Sequence, residues 1–238
     1  AQRGGGRRLI EPKVLYEDNH LLVVVKPPMV PVQADDSGDM DLLSLCKGYI
    51  KKKYAKPGAV YLGLVHRLDR PVGGVMVFAR TSKAAARLQA AMQRGDWRKE
   101  YVAVLVQGAD GVDLPQQGSL EDWMAREGGG HGSRICSGGR ARAKLALRDY
   151  SVLSPWVTLH WARIPLRTGR NNQIGLQVAA RGGHRWGDAR YNPASRPGQD
   201  SALWAQRLAF SHPVGGEQMV FFHAPPDKAP WNAFPPLK

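Results

Sequence analysis

The sequence predicts an α+β fold, a mixed and mostly antiparallel central sheet with flanking helices. Short apolar runs rich in Val and Leu outnumber the helical patterns along the chain. Many of these runs follow one another without a helix between them, which favours antiparallel pairing over a doubly wound parallel sheet. The chain also has 238 residues, 43% of them hydrophobic, so it can bury a sizeable core.

Each predicted element rests on a local pattern. The predicted strands, recognised as apolar or alternating runs, are residues 21–25, 75–79, 101–106, 143–153 and 157–164, with further alternation after residue 201. The predicted helices are residues 42–54, a second that runs to about residue 93, and a third that begins after Gly169. Asp41 and either Thr81 or Ser82 precede the first two helices, and their side-chain oxygens suit them as N-caps.

The chain divides into a flexible basic arm at residues 1–12, one domain at residues 13–226 and a proline-rich tail at residues 227–238. Within the domain, residues 125–142 are rich in Gly and Arg, which predicts a mobile loop. Only about a dozen residues precede the first predicted strand, fewer than the roughly 50 of a small accessory domain.

The composition favours a nucleic-acid partner. The chain has 34 Lys and Arg against 20 Asp and Glu, a net charge of +14 and a pI near 10.1. Such an excess of positive charge is typical of proteins that bind polyanions. The two cysteines form no Cys-x-x-Cys pair, which argues against a zinc knuckle or a disulfide framework. No run approaches the roughly 20 apolar residues of a membrane span, so we expect no membrane partner.

Asp69 is the first candidate for chemistry. It lies between Arg67 and Arg70 in a loop rich in Gly and Pro, ahead of a buried strand. Neighbouring arginines keep such a carboxylate ionised and oriented. On physics alone, a structural Arg–Asp pair that closes a turn is the more common role for such residues.

A second cluster covers residues 167–173. Gly169 permits close backbone approach, Arg170 offers a fork for phosphate, and the amides of Asn172 and Gln173 can contact base edges. An ordinary strand-to-helix turn with a solvated face explains this cluster equally well. A third cluster follows from strand alternation, which places Lys99, Tyr101 and Ala103 on one face. Tyr101 could stack on a base, or it could be a half-buried tyrosine of the sheet.

Together the clusters resemble the RluA-type family of RNA pseudouridine synthases. The ordered motifs that carry the resemblance are Tyr16-Glu17-Asp18 through Lys26-Pro27, His66-Arg67-Leu68-Asp69, Lys99-x-Tyr101-x-Ala103, Thr168-Gly169-Arg170-x-x-Gln173-Ile174, Gly187-Asp188-x-x-Tyr191 and Phe210-x-His212-Pro213. They span residues 14–225. Six blocks in this order imply the pseudouridine synthase fold, whereas His-Arg-Leu-Asp alone would be a weak signal.

The resemblance implies an isomerase that detaches the base of a uridine in RNA, rotates it and rejoins it through C5, with no metal or cofactor. Asp69 matches the family's nucleophile, Arg67 the residue that holds the flipped-out nucleotide, and Tyr101 the tyrosine that stacks on the base. Leu203 matches an apolar wall of the pocket. The residues predicted to contact RNA are therefore Arg67, Arg70, Arg167, Arg170, Asn172, Gln173 and Leu203.

Several positions depart from the family pattern, which runs Thr-Gly-Arg-x-His-Gln-Ile-Arg. Gly175 stands where the family has the arginine that pairs with the catalytic carboxylate, and Asn172 replaces its histidine. Gly73 replaces a common serine, and Trp204 a histidine. We expect the lost arginine to impair catalysis, Arg70, Arg167 or Arg170 to be its candidate substitutes, and Gly175→Arg to raise activity. Trp204 is expected to narrow the uridine pocket.

These features support two functions. The first is an active RNA pseudouridine synthase that acts on structured RNA, with ribosomal RNA as the expected target. The second is a catalytically inactive relative that binds RNA as a ribosome assembly factor or ribonucleoprotein component, with ribosomal or assembly proteins as partners. An unrelated glycosidase is disfavoured because no second carboxylate accompanies Asp69 in a suitable context. The compartment, mitochondrial or cytoplasmic, is left open.

Overall fold

The computed structural model describes residues 11–107, 115, 117–126, 133–136, 144–155, 159–166, 173–193, 195–196 and 199–234. Within these ranges the chain forms twelve strands, three α-helices and a short 3-10 helix at Trp231–Ala233. The strands are β1 Lys13–Glu17, β2 Leu21–Lys26, β3 Gly63–Leu64, β4 Gly73–Ala79, β5 Arg98–Gln107, β6 Gln117–Arg126, β7 Ser133–Cys136, β8 Lys144–Pro155, β9 Leu159–Leu166, β10 Gly183–Arg185, β11 Leu203–Ser211 and β12 Gln218–Phe222. The helices are α1 Leu42–Lys53, α2 Ser82–Arg94 and α3 Gln173–Ala179.

The strands form one sheet with the main order β1-β2-β4-β11-β5-β9-β8-β6-β7. Strands β3, β10 and β12 pair with β4, β5 and β11, respectively. Among the described strands, the pairing of β4 with β11 is parallel and the others are antiparallel. A sheet of this kind with separate helices is the α+β class, so the predicted fold class is confirmed.

The two sides of the sheet are set by alternation along β5 and β11. Tyr101, Ala103, Leu105, Leu203 and Ala205 are buried in one cluster, on what we call the Tyr101 face. Val102, Val104 and Trp204 alternate with them and belong to a different cluster, on what we call the Trp204 face.

Helices cover both faces of the sheet. Leu42, Cys46 and Ile50 of α1 are buried in the same cluster as Tyr101. Helix α2 instead buries Leu88 against Val77, on the opposite side of β4. The predicted N-caps are confirmed as well, because the Asp41 side chain accepts from Ser44 N at 2.9 Å and the Thr81 side chain accepts from Ala84 N at 3.1 Å.

The predicted loop at residues 125–142 is partly wrong. Strand β6 continues to Arg126, and β7 pairs back against it, with Trp123 opposite Cys136. The apolar Ile135 within a run of Gly and Arg was too short a signal to predict a strand. The rest of the predicted loop lies outside the described residues.

The proline-rich tail packs on the sheet as far as residue 234. Trp231 and Phe234 are both buried, and the Phe234 ring centroid lies 5.4 Å from that of Trp161. Burial of these two large aromatic rings fixes this part of the tail. Residues 1–10 of the predicted arm lie outside the described residues, and β1 begins at Lys13.

Across the described ranges, none of the helices has the length and apolar content needed to cross a membrane.

Candidate active site

Asp69 lies on the segment between β3 and β4, where side chains alternate between buried and exposed. His66 and Leu68 are buried, and Arg67 and Asp69 are exposed. The Val72 N–H donates to the Asp69 carbonyl at 2.9 Å and closes a four-residue turn. The carboxylate of Asp69 therefore faces solvent, with Arg67 as the other exposed side chain of this segment.

His66 anchors the segment to the sheet. Its Nε2 accepts a hydrogen bond from Val77 N at 3.1 Å, and its ring meets the Trp97 ring edge-on at 5.2 Å. Burial lowers the pKa of His66 well below its usual value, and the charge of Lys99 lowers it further. A neutral imidazole that accepts from the backbone is a structural anchor rather than a proton-transfer group.

Lys26 holds the same turn from beneath. Its Nζ is fully buried and donates to three carbonyls, Pro27 O at 3.0 Å, Arg70 O at 2.9 Å and Val72 O at 2.7 Å. Burial lowers the pKa of Lys26 to about 7, which the charge of Asp69 opposes and that of Arg70 reinforces. The ammonium has three N–H donors, so one buried lysine fixes the backbone that carries Asp69.

Arg70 is directed away from the carboxylate that it follows in sequence. Its guanidinium donates to Asp35 Oδ2 at 3.2 Å and to Ser37 Oγ at 2.9 Å, and it also pairs with Asp39. Arg70 is therefore already paired with two other carboxylates, which argues against the expectation that it replaces the missing arginine.

The buried residues of the Tyr101 face include the neighbour of Asp69 in sequence. Leu68 is buried in the same cluster as Tyr101, Leu203 and Ala205. Leu203 lies opposite Ala103 in the pairing of β5 with β11, and Tyr101 lies opposite Ala205. Leu68, the neighbour of Asp69, thus shares a buried cluster with Tyr101 and Leu203, and the assignment of Asp69, Tyr101 and Leu203 to one pocket stays a prediction.

Lys99 does not share the face of Tyr101 as predicted. Its Nζ lies 5.1 Å from the centre of the Trp97 ring and 3.7 Å from the Met92 sulfur, near α2. The physical reason is a shift in the pairing of β5 with β11, where one extra residue, Gln206, interrupts the alternation.

Trp204 lies on the opposite side of β11 from Leu203, and its indole N–H donates to His223 O at 2.7 Å. It therefore does not narrow a pocket on the Tyr101 face, contrary to the expectation. Its ring occupies space next to Gly73, where a Cβ would lie 2.3 Å from Trp204 Cζ3. The departures at residues 73 and 204 are thus one coupled change, since the tryptophan fits only beside a residue without a side chain.

The start of α3 is the part of the second cluster that the structure describes. Gln173 is 2% exposed, and its amide donates to Gln177, which in turn donates to Asp122 at 2.8 Å. Gln173 therefore supports the packing of α3 in this structure rather than facing solvent. The other predicted contacts of this cluster, Arg167, Arg170 and Asn172, lie outside the described residues.

Gly175 follows Gln173 by two residues in α3, and it is buried and closely surrounded. A Cβ at this position would lie 2.2 Å from Asp188 Oδ2 and 3.0 Å from Tyr191 Cδ2. Real Cβ atoms do not approach other atoms so closely, so Asp188 fills the space that a side chain at 175 would need.

Arg185 is the residue of this site that the sequence analysis missed. It is 7% exposed, and its Nη2 lies 2.9 Å from Asp188 Oδ2. In sequence it stands in His184-Arg185-Trp186, which suggests a surface for stacking on RNA. Arg185 ends strand β10 and Asp188 lies in the turn that follows, so no helical or strand periodicity in the sequence indicated their pairing.

The described residues form no cluster suited to bind a metal ion. Within the described ranges, no group of three or more His, Cys, Asp or Glu side chains is placed to hold a metal ion.

Comparison with known proteins supports the assignment suggested by these residues. Residues 20–180 match the family described as RNA pseudouridylate synthase. The chain is 30% identical over 220 residues to the ribosomal large subunit pseudouridine synthase D of Zymomonas mobilis, covering 88% of this chain and 68% of that protein. It is 28% identical to the protein of the same name from Haemophilus influenzae, covering 90% and 67%, respectively. The chain thus spans about two thirds of the length of these relatives.

A solved structure supports the fold independently. Human RNA Pseudouridylate Synthase Domain Containing 1 superimposes with a TM-score of 0.73 at 22% identity, covering 94% of this chain and 88% of the human one. At this identity the likeness concerns the fold, while the match over residues 20–180 and the bacterial relatives concern the family. The chain belongs to the RNA pseudouridylate synthase family and is of the RluA type.

Proposed function

We propose that this chain isomerises uridine to pseudouridine in structured RNA, with Asp69 as the nucleophile. One observation carries the proposal: Asp69 is an exposed carboxylate on a turn that a buried lysine fixes from beneath. A nucleophile needs access to its substrate and a fixed position, and this turn provides both. Leu68, which precedes Asp69 on this turn, is buried in the same cluster as Tyr101 and Leu203.

The chemistry follows from these positions. A uridine that leaves the helix stack can place its base against Tyr101, with Arg67 on the exposed side of the same turn. The Asp69 carboxylate then stabilises the electron-poor carbon from which the base departs, by a covalent bond or as an ion pair. The bond from this carbon to N1 breaks, the base rotates, and a bond from the same carbon to C5 forms as any covalent bond to Asp69 breaks. C5 loses its proton and N1 gains one, so that the product is an isomer of the substrate, and Tyr101 is our candidate to assist the proton transfer from C5.

We further propose that the target is ribosomal RNA. Two relatives are named as ribosomal large subunit pseudouridine synthases. The net charge of +14 adds the long-range attraction that binding to a large folded RNA requires. Both arguments concern the RNA class, and the target uridine is an outcome of the experiment below.

The deciding experiment is a transcript-wide pseudouridine map in cells that carry the wild-type protein, Asp69→Ala or a deletion. Asp96→Ala is a matched control, because Asp96 is an exposed aspartate paired with Arg94 outside the site. We expect one or more ribosomal RNA sites to lose pseudouridine in Asp69→Ala and deletion cells and to keep it in the control.

Two other outcomes would contradict the proposal. A site that persists in Asp69→Ala and disappears on deletion would show that Asp69 is not the nucleophile. Normal pseudouridine in every strain, with a ribosome defect only on deletion, would identify an inactive RNA-binding relative that acts in ribosome assembly.

A further inference from the structure

Arg185 is a buried cation with an unusual setting. It is 7% exposed, and its Nε has no hydrogen-bond partner among the described residues. Its Nη2 forms an ion pair with Asp188 Oδ2 at 2.9 Å. A buried guanidinium with a spare donor is costly to maintain, so its position calls for a partner of opposite charge.

Asp188 holds the guanidinium in place. Its Oδ1 accepts from the backbone N–H groups of Arg190 at 3.1 Å and Tyr191 at 3.4 Å, while Oδ2 faces Arg185. The turn is closed by Asn192, whose side chain donates to Arg185 O at 3.2 Å. The carboxylate and the guanidinium are therefore both anchored to one turn of backbone.

The register of the sheet places Arg185 on the side of the proposed nucleophile. Arg185 lies opposite Leu105 in the pairing of β10 with β5, and Leu105 is on the Tyr101 face. Residues directly opposite in a ladder point to the same side of the sheet. Leu68, the neighbour of Asp69, is buried in that same cluster.

Electrostatics agree with this placement. Burial lowers the pKa of Arg185, and the charges of Asp188, Asp69 and Tyr191 oppose that effect. The charge of Asp69 therefore acts on the guanidinium, while Asp188 forms its ion pair.

Gly175 leaves the room for this arrangement. A Cβ at 175 would lie 2.2 Å from Asp188 Oδ2, the oxygen that pairs with Arg185, so a side chain at 175 requires this carboxylate to shift. The arginine that the family pattern has at 175 is absent here, and Arg185 is a buried cation paired with the carboxylate that lies against Gly175.

We propose that Arg185 is the positioning residue for the Asp69 carboxylate, in place of the arginine absent at position 175. The inference rests on the proposed function, in which Asp69 is the nucleophile. Arg185 orients the carboxylate through its positive charge, and Asp188 orients Arg185.

A double-mutant cycle tests the interaction without reference to activity. The unfolding equilibrium in urea is measured for wild type, Asp69→Asn, Arg185→Met and the double variant. We expect Asp69→Asn to change the unfolding constant by a factor that differs at least about threefold between the two backgrounds, beyond the roughly twofold scatter of independent sites. Arg87→Met is the matched control. Arg87 lies on α2 and donates to Pro213 O, so the effects of Arg87→Met and Asp69→Asn on unfolding should be additive.

The second readout is the single-turnover rate of pseudouridine formation on the mapped RNA. We expect Arg185→Met to slow the step at saturating RNA by about tenfold or more, with RNA affinity changed less than twofold. Arg185→Lys should retain more of the rate than Arg185→Met, and it also serves in the cycle if Arg185→Met does not fold.

Additive effects in the cycle would overturn the inference, as would equal losses for Arg185→Met and Arg87→Met. Equal rates for Arg185→Lys and Arg185→Met would mean that Arg185 only supports the fold. If the wild-type protein forms no pseudouridine in any RNA, the proposed function fails, and the cycle alone decides whether Arg185 acts on Asp69.

Discussion

Gly175 lies against Asp188 so closely that a Cβ at position 175 would be 2.2 Å from Asp188 Oδ2. The expectation that Gly175→Arg raises activity stays a prediction, and in this structure such a variant requires the Asp188 side chain to move. The space for an arginine is already occupied by a carboxylate that pairs with Arg185. The departure at 175 is accordingly part of a rearranged set of charges and not a simple deletion.

We expect Gly175→Ala to destabilise the protein by roughly 1–3 kcal/mol, because Asp188 is buried and tied to backbone N–H groups and cannot simply move aside. The matched control is Gly48→Ala, since Gly48 is also within a helix but has no atom within 4 Å of the added Cβ. That control should stabilise the protein by about 0.5–1 kcal/mol. Urea unfolding measures both, and equal stability of Gly175→Ala and wild type would contradict the steric argument.

The coupled change at residues 73 and 204 makes a second prediction. Gly73→Ser should lower the free energy of unfolding by roughly 1–3 kcal/mol, because the Cβ of the new side chain would lie 2.3 Å from Trp204 Cζ3. Adding Trp204→His removes the larger ring and should recover part of that loss, so the two changes should be non-additive in urea unfolding. Strictly additive effects would show that the tryptophan and the glycine do not depend on each other.

The buried ammonium of Lys26 predicts a pH dependence of stability. Its pKa is lowered from 10.5 to about 7 by burial, so between those values the unfolded chain binds a proton that the folded chain does not. The free energy of unfolding should therefore rise with pH above about 7, by up to about 1.4 kcal/mol per pH unit from this group, and this contribution is lost as the pH falls to 7.

Urea unfolding at pH 6, 7, 8 and 9 checks this sign. Lys26→Met should flatten the rise but not abolish it, because burial also lowers the pKa of Lys99 to about 8. The exposed Lys51 on α1 supplies the control, and Lys51→Met should follow wild type. A Lys26→Met curve parallel to that of wild type would rule out this titration.

RNA affinity should fall steeply with salt. For each phosphate that the protein contacts, the slope of log K against log salt should be about −0.7 on single strands and −0.9 on duplexes. Arg67→Met should reduce the slope by about one contact, because Arg67 is exposed beside Asp69. Arg94→Met should leave the slope unchanged, since Arg94, the last residue of α2, pairs with Asp96. Filter binding between 50 and 300 mM salt, as a rough range around physiological strength, measures it, and a flat response would contradict binding through the basic surface.

The strong local patterns were predicted well from the sequence. The run at residues 21–25 became β2, and Asp41 and Thr81 cap α1 and α2 as expected. Weak or short signals failed, as for β7, and so did alternation across the shifted register between Tyr101 and Lys99. A strand too short to show a period, and a bulge on a neighbouring strand, leave little trace in the local sequence.

By itself the sequence determined the fold class, the basic charge and the order of motifs that identified the family, because these depend on residue type and spacing along the chain. Only the tertiary structure decided how the departures from the family pattern are accommodated. Trp204 fills the space beside Gly73, and Asp188, which pairs with Arg185, fills the space beside Gly175. Residues far apart in sequence compete for the same volume in a close-packed interior, and that competition is set by strand register and helix packing rather than by local pattern.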